Sequence, residues 1–337
     1  MDAIILVGGQ GIRLRPLTLK RHKSVVPVGN KPAIEWLFDW LLEHGVQRII
    51  LALGQNNETL SLKYPKGSYR NLEIEHVVER ERLESGGAIR NAVTTAGLKD
   101  QFLVLNGDIF VDFDLTKAIK NHNQINASLT LALCKVEDPS AYGVAVLNNS
   151  SLITGFVEKP PPGTEQSNLV NAGVWIFEEK LVEEIPPGKV RVEETLFPSL
   201  VARNQLVFGY QFDGLWADLG TPERYLKINQ QIAQRNGGNI IANNNHFQDV
   251  SLQGNCIGEN TVINKNVEIL NSVLWENVHV QENVKIEDSI IADGVTVGEG
   301  AKIESSVLAS GSTVPPRKHL KPGTHLLPGE RYDETDG

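Results

Sequence analysis

The stretch Ile5–Thr18 reads ILVGGQGIRLRPLT. Three glycines, Gly8, Gly9 and Gly11, close an apolar run, and Arg13 follows. Glycines at such a place let backbone amides approach anionic oxygens closely and adopt positive φ. Arg13 can give forked, charge-assisted hydrogen bonds to a phosphate, and Lys23 adds a second, mobile positive charge. Residues 3–34 hold Arg13, Arg15, Lys20, Arg21, Lys23 and Lys31 and no acid. A basic island in a chain of formal net charge −9 points to a small anionic ligand, with a solvated charged turn as the alternative. Neither common phosphate fingerprint is present: Leu14 stands where the dinucleotide motif needs a third small residue, and no G-x-x-x-x-G-K-[ST] occurs.

Two acids extend this chemistry. Asp108 in LNGDIF falls just past an apolar run, and Asp218 in LWADLG has a similar context far along the chain. Mg²⁺ is usually held by one or two carboxylates together with substrate phosphates. Taken singly, each Asp also reads as a turn residue. Beside a glycine-rich basic loop, the pair reads as a cation site.

The elements that must position these residues follow from hydrophobic pattern. Ala3–Gly8, Arg48–Gly54, Leu72–Glu79 and Gln101–Phe110 are short apolar runs that predict strands, while Ala33–Val46 and Gly86–Gly97 have helical periodicity. Such alternation predicts an α/β fold, a Rossmann-like, mostly parallel mixed sheet with helices on both faces. Ligands of such sheets bind beyond the carboxyl ends of the strands, where GGQG and NGD both fall. After residue 125 the chain becomes β-rich, and ASLTLALCKV, YGVAVL, ITGFVEKP, AGVWIF, LVFGYQF and LWADLG are read as extending the same sheet. Thr221–Asn236 predicts a helix with Thr221 as N-cap and Pro222 first inside it. Gly237 and Gly238 end it, which sets the expected division into domains 1–236 and 237–337.

Beyond that point the helix signals vanish. The blocks NVEILNSVLWENVHVQE (266–282), NVKIEDSIIADGVTVGE (283–299) and GAKIESSVLASGSTVPP (300–316) align without gaps at 17 residues. Ser272, Ser289 and Ser306 correspond, and a weaker copy starts near Asp249. Such repeats bury their apolar side only by stacking, which predicts a parallel β-helix of about four coils. The tail from Pro315 is expected to cap its end, with the last few residues disordered.

The 337 residues suffice for a substantial core. No run approaches the roughly 18–20 apolar residues of a membrane span, and the N-terminus has no signal-peptide pattern. Cys134 and Cys256 make neither a disulfide framework nor a metal site. A cytoplasmic protein is expected, with no membrane partner, and the acidic balance argues against nucleic acid.

In six segments taken in order, the chain resembles the nucleotidyltransferases that make nucleoside-diphosphate sugars. The segments are GGQGIRLRPLTLKRHKSVVPV, FLVLNGDIF, KVEDPSAYGVAV, GFVEKP, NAGVWIF and WADLGTPERYL. It is most similar to the mannose-1-phosphate guanylyltransferase branch. The resemblance covers roughly residues 1–235, and in this family a left-handed, hexapeptide-repeat β-helix is an expected partner domain. It implies a Mg²⁺-dependent reaction of an NTP, GTP favoured, with a sugar 1-phosphate, giving an NDP-sugar and pyrophosphate. By motif position, Leu6, Gly8, Gly9 and Gly11 would shape the nucleotide loop, with Glu84, Ser85, Gly86 and Gly87 on the base side. Arg13 and Lys23 would neutralise the triphosphate, and Asp108 and Asp218 would hold Mg²⁺. Lys159 would bind the sugar phosphate, with Gly143, Glu158 and Asn171 lining the sugar. A homo-oligomer, dimer or tetramer, built through the β-helix is expected.

Three departures leave the substrate open. Ile12 replaces the family's Thr, HKS (22–24) replaces P-K-P, and LESGGA (83–88) replaces L-G-T-A-G. A form like LESGGA occurs in relatives that use uridine nucleotides. Uridylyl, adenylyl or thymidylyl transfer is therefore an alternative, as is a non-catalytic, NDP-sugar-binding regulatory paralogue. An acyltransferase role for the β-helix would need a general-base histidine, and His246, His279, His319 and His325 sit in no recognisable acyltransferase motif.

Overall fold

A computed structural model describes residues 1–55 and 58–333. The last few residues, expected to be disordered, include 334–337, which lie outside the described residues. The chain divides into two compact units, Met1–Gly9 with Ile34–Trp216, and Gln10–Ala33 with Ala217–Gly337. The basic stretch thus belongs to the same unit as the C-terminal repeats.

The first unit is built on a ten-stranded sheet. Its parallel centre runs, in space, Gln101–Asn106, Asp2–Val7, Arg48–Leu53, Leu72–Val78. The first three are nearly continuous apolar runs because both faces are covered, whereas Leu72–Val78 alternates and leaves Glu73 and Val78 exposed. Ile4, Ile50 and Val104 are wholly buried, each stabilising the unit by roughly 1.5–3 kcal/mol. Chain order reverses between the strands Asp2–Val7 and Gln101–Asn106, which creates the switch point where such sheets open to ligands.

The helix Ala33–Glu43 buries Ile34, Leu37, Phe38 and Leu41, the spacing of a single apolar stripe. The chain turns just beyond it at Gly45, whose φ is 80°. The helix Glu84–Ala96 ends at Gly97 in the left-handed conformation, φ 64°, as its sequence predicts.

The β-rich region adds Leu129–Lys135, Gly143–Leu147, Ile153–Glu158, Leu169–Glu178 and Val207–Gln211 to the same sheet. Trp216–Asp218 does not join it, contrary to expectation. At Gly214 the chain passes so close to Asp112 that a Cβ would lie 2.1 Å from its carbonyl oxygen. Asp112 N–H donates to Leu215 O at 3.0 Å, and these contacts lead the chain away.

In the second unit, Pro222–Arg235 is a helix with Thr221 at its N-cap. Parallel ladders follow on three faces. Ile263, Ile269, Leu274, Val280, Ile286, Ile291, Ile303 and Leu308 fill the interior. Ser272, Ser289 and Ser306 stack as read, each hydroxyl accepting the next serine's N–H at 3.1 Å. Stacking begins earlier than the repeat suggested. Asn239 pairs with Asn255 and His246 with Val262, a spacing of 16 that a 17-residue alignment cannot register. The tail adds a further turn: Lys302 bridges His319 and Val307 pairs with His325, so one residue is inserted on the way.

Candidate active site

The carboxyl ends of the two switch-point strands carry Gly8 and Gly9 on one side and Gly107 and Asp108 on the other. Gly107 N–H donates to Leu6 O at 2.9 Å, continuing the parallel ladder. A Cβ on Gly107 would lie 2.3 Å from Val7 Cγ1, so only glycine can close this junction. Asp108 is thereby fixed, partly buried, directly beyond the sheet.

Gly8 is exposed and meets a residue that motif reading missed. A Cβ on Gly54 would come within 3.1 Å of Gly8 Cα, while one on Gly8 would lie 3.6 Å from Glu79 Oε1. Gly8, Gly54 and Glu79 each follow the end of one of three adjacent parallel strands. With no side chain at the middle position, Glu79 reaches over Gly54 to Gly8. Glu79 is 5 % exposed, and its Oε2 accepts Leu83 N–H at 3.1 Å. Burial raises its carboxyl above the ordinary range, partly offset by that bond. No local signal set it apart, because Glu73, Glu75 and His76 interrupt the same strand.

The segment expected on the base side, Glu84–Gly87, starts its helix earlier than its periodicity suggested. Its helix starts at Glu84 with Leu83 as N-cap. Ser85 lies in the first turn of this helix, and its hydroxyl donates to Glu193 and accepts Val192 N–H. Burial raises the Glu193 carboxyl, and Glu158 pushes it the same way. Glu84 is half-buried and paired with Arg82 at 3.0 Å and Arg191 at 3.3 Å. Its φ of 57° is unusual for a residue with a side chain. Gly86 N–H is taken by Val190 O at 2.8 Å. A Cβ on Gly87 would lie 2.2 Å from Gly188 O. Both glycines serve the close passage of residues 188–190.

Of the residues expected around the sugar, Gly143 pairs across the strands with Glu158. A Cβ on Gly143 would stand 2.7 Å from Glu158 Oε2, so the glycine is what gives that carboxylate room. Lys159 Nζ pairs with Glu158 Oε1 at 3.0 Å. Asn171 Oδ1 accepts Trp175 Nε1–H at 2.7 Å and Gly173 N–H at 3.1 Å, which turns the amide so that it presents Nδ2–H donors. Trp216, packed edge-on against Tyr142 at 5.2 Å, donates to Ala172 O at 2.8 Å.

The second unit carries the remaining residues. Gly11 is left-handed, φ 63°, and opens a short turn bearing Arg13. Thr18 Oγ1 donates to Gly11 O at 2.7 Å, and a Cβ on Gly11 would lie 3.1 Å from Lys23 Cβ. Lys23 starts a turn in which His22 Nδ1 accepts Ser24 N–H at 3.2 Å. Ile12 is 56 % exposed. Arg13 and Asp218 meet at Gly220: a Cβ there would lie 3.3 Å from Arg13 Nη2 and 3.0 Å from Asp218 Oδ1. Arg224 Nη1 bonds both oxygens of Asp218, at 2.8 and 2.7 Å.

Among the described residues no cluster of three or more His, Cys, Asp or Glu could hold a metal ion. The expected Mg²⁺ asks less, one or two carboxylates with the rest from phosphates and water. Asp108 fits that demand. Asp218 fits as a carboxylate already sharing its charge with Arg224; its Oδ1 also accepts Gly220 N–H at 3.1 Å, so Oδ2 is the oxygen that keeps a second lone pair.

No described helix is long and apolar enough to cross a membrane. The profile described as "Nucleotidyl transferase" matches residues 2–235, and that of the "EIF2B subunit epsilon LbH domain" matches residues 235–327. With the parallel ladders, the second match makes the C-terminal solenoid a left-handed β-helix. Over 230 residues, 67% of this chain and 63% of the relative, the sequence is 35% identical to a mannose-1-phosphate guanylyltransferase of Mycobacterium tuberculosis. It is 38% identical to a mannose-1-phosphate guanyltransferase of Schizosaccharomyces pombe, over 67% of this chain and 62% of that one. The matches thus span less than two thirds of these relatives' length. The crystal structure of HddC from Yersinia pseudotuberculosis complexed with GMP-PN is similar at TM-score 0.59 and 27% identity, covering 68% of this chain and 99% of that one.

Proposed function

The chain belongs to the nucleotidyl transferase family, and from that premise we propose that it joins an NTP to a sugar 1-phosphate, releasing pyrophosphate and giving an NDP-sugar. The observation that carries this reading is the switch point, where Gly8–Gly9 and Gly107–Asp108 follow two neighbouring parallel strands. A phosphate oxygen of the sugar phosphate attacks the α-phosphorus, and the bond to the departing pyrophosphate breaks in line. Little covalent work falls to the protein, so positioning and charge neutralisation do most of it. Arg13 and Lys23 bind the triphosphate and spread the charge of the transition state, a role worth roughly 10³–10⁵ in rate for an arginine in comparable phosphoryl transfers. Gly8, Gly9 and Gly11 let backbone amides reach the phosphates. Lys159 holds the sugar's phosphate, while Glu158 and Asn171 fix its hydroxyls. Asp108 and Asp218 would hold Mg²⁺, which when bound neutralises phosphate oxygens.

The favoured substrates are GTP and mannose 1-phosphate. Relatives named for that reaction support this, and so does Glu79. A carboxylate beside Gly8 offers two acceptors to a base edge with two adjacent donors. Guanine presents N1–H and N2–H₂ side by side, whereas uracil and thymine present one N–H between two carbonyls. The LESGGA departure bears less on the base, because Ser85, Gly86 and Gly87 are committed to residues 188–193. We also propose a cytoplasmic setting and a homo-oligomer formed through the β-helix.

The test is pyrophosphate release with Mg²⁺, pairing each common NTP with mannose-, glucose- and N-acetylglucosamine-1-phosphate. Turnover with GTP and mannose 1-phosphate is expected; turnover confined to another pair would overturn the substrate reading. The hold of Arg224 on Asp218 favours one second reading, an NDP-sugar-binding protein without catalysis. Silence across the panel, from protein that binds an NDP-sugar, would select it.

A further inference from the structure

The glycine loop leads into residues 10–33, which form one compact unit with the β-helix. Arg21 reaches Glu276 and, at 3.3 Å, Asp293, and its guanidinium lies 4.7 Å from the centre of the Trp275 ring. Glu276 and Asp293 occupy the same place in successive 17-residue coils, and Gly294 N–H donates to Glu276 O at 3.1 Å. Ser310, one coil further, donates to Asp293 Oδ1 at 2.7 Å. Two acids stacked at the same turn of successive coils repel each other. A cation set against both removes that cost, and the ring face adds a second attraction.

Other bonds hold the same loop. Asn30 Nδ2 donates to Ile240 O at 3.0 Å and Ile257 O at 2.7 Å. Gly29 N–H donates to the buried Asn229 Oδ1 at 2.8 Å. Trp275 Nε1–H donates to Tyr225 Oη at 2.9 Å, and Tyr225 in turn donates to Pro27 O. Arg21 lies two residues before Lys23 and three after Thr18, whose hydroxyl holds Gly11 O.

We propose that Arg21 is a positioning residue: the β-helix, through Glu276, Asp293 and Trp275, fixes the loop that presents Arg13 and Lys23 to the nucleotide triphosphate. The solenoid is then part of the nucleotide-binding machinery as well as a stacking scaffold. The effect on catalysis rests on the proposed nucleotidyl transfer; the clamp itself does not.

Hydrogen–deuterium exchange and steady-state kinetics on the full chain test this together. Arg21→Ala should speed exchange at residues 10–33 and leave the Ser272–Ser306 ladder protected. It should raise KM for GTP about tenfold, the size expected for loss of a charge-assisted contact, with KM for sugar 1-phosphate unchanged. Arg21→Lys should recover part of both effects. The double variant Glu276→Gln, Asp293→Asn removes the partners while relieving their mutual repulsion. It should loosen the same loop without harming the solenoid, which guards against misfolding of the first variant. Unchanged exchange at residues 10–33 in both variants would overturn the clamp. A loosened loop with unchanged KM for GTP would overturn its role in nucleotide binding. If the wild type turns over no NTP yet the exchange contrast persists, the clamp stands and the catalytic reading falls.

Discussion

Glu79 and Gly8 meet although a strand lies between those that carry them, because the position between, Gly54, has no side chain. A Cβ on Gly8 would sit 3.6 Å from Glu79 Oε1. This places a buried carboxylate beside the glycine loop, where we propose that it reads the base edge.

Glu79→Gln should therefore weaken discrimination. A good bidentate pair to a base is worth roughly 1–3 kcal/mol, so kcat/KM for GTP should fall about tenfold to hundredfold, with a much smaller effect for UTP. Pyrophosphate release with both nucleotides checks this. An equal fall for the two would remove Glu79 from the base site.

The same residue makes stability depend on pH. Burial holds its carboxyl above the ordinary value of 4.5, so the folded chain keeps this proton longer than the unfolded chain does. The stabilisation from this group is complete below its ordinary pKa and is lost as pH rises through the raised one. Glu79→Gln has no such loss, so thermal melts should favour the variant increasingly as pH rises over that window. A difference in Tm that stays constant with pH would contradict the assignment. GTP affinity of the wild type should move the opposite way, weakening as acid protonates the carboxylate.

Gly143→Ala would put a methyl group 2.7 Å from Glu158 Oε2 and 2.6 Å from Phe156 Cζ. Overpacking of this kind typically costs about 1–3 kcal/mol, and here it also displaces Glu158 and its partner Lys159. KM for sugar 1-phosphate should rise while KM for NTP holds. Lys159→Ala should show the same split more strongly, and equal effects on both substrates would place these residues elsewhere.

Asp108→Asn should abolish turnover and leave the fold intact by circular dichroism, since its carboxylate is proposed to hold Mg²⁺. Titration of the wild type with a chelator should stop pyrophosphate release, and Mg²⁺ should restore it. Wild-type turnover in the Asn variant would refute the metal assignment.

Much of this protein was legible in one dimension. The strands Asp2–Val7, Arg48–Leu53 and Gln101–Asn106 show as continuous apolar runs because a sheet covered on both faces needs nothing else. The 17-residue period shows because each coil of a solenoid presents the same residues to the same neighbours, as the serine ladder does. It fails at both ends, where spacings of 16 and 18 change the coil length without breaking the stack. Local chemistry was legible too: glycines before Arg13, and Asp108 at a strand end. Only tertiary structure decided that Glu79 lies against Gly8, that Ser85 serves Glu193, and that Arg21 belongs with Glu276 and Asp293. Each of these contacts joins residues far apart in the chain, through a path set by strand order and coil stacking. A sequence read along its length carries the period of a fold and the types of its side chains. The partner of a buried charge is chosen by packing, which is settled only when the distant segments arrive.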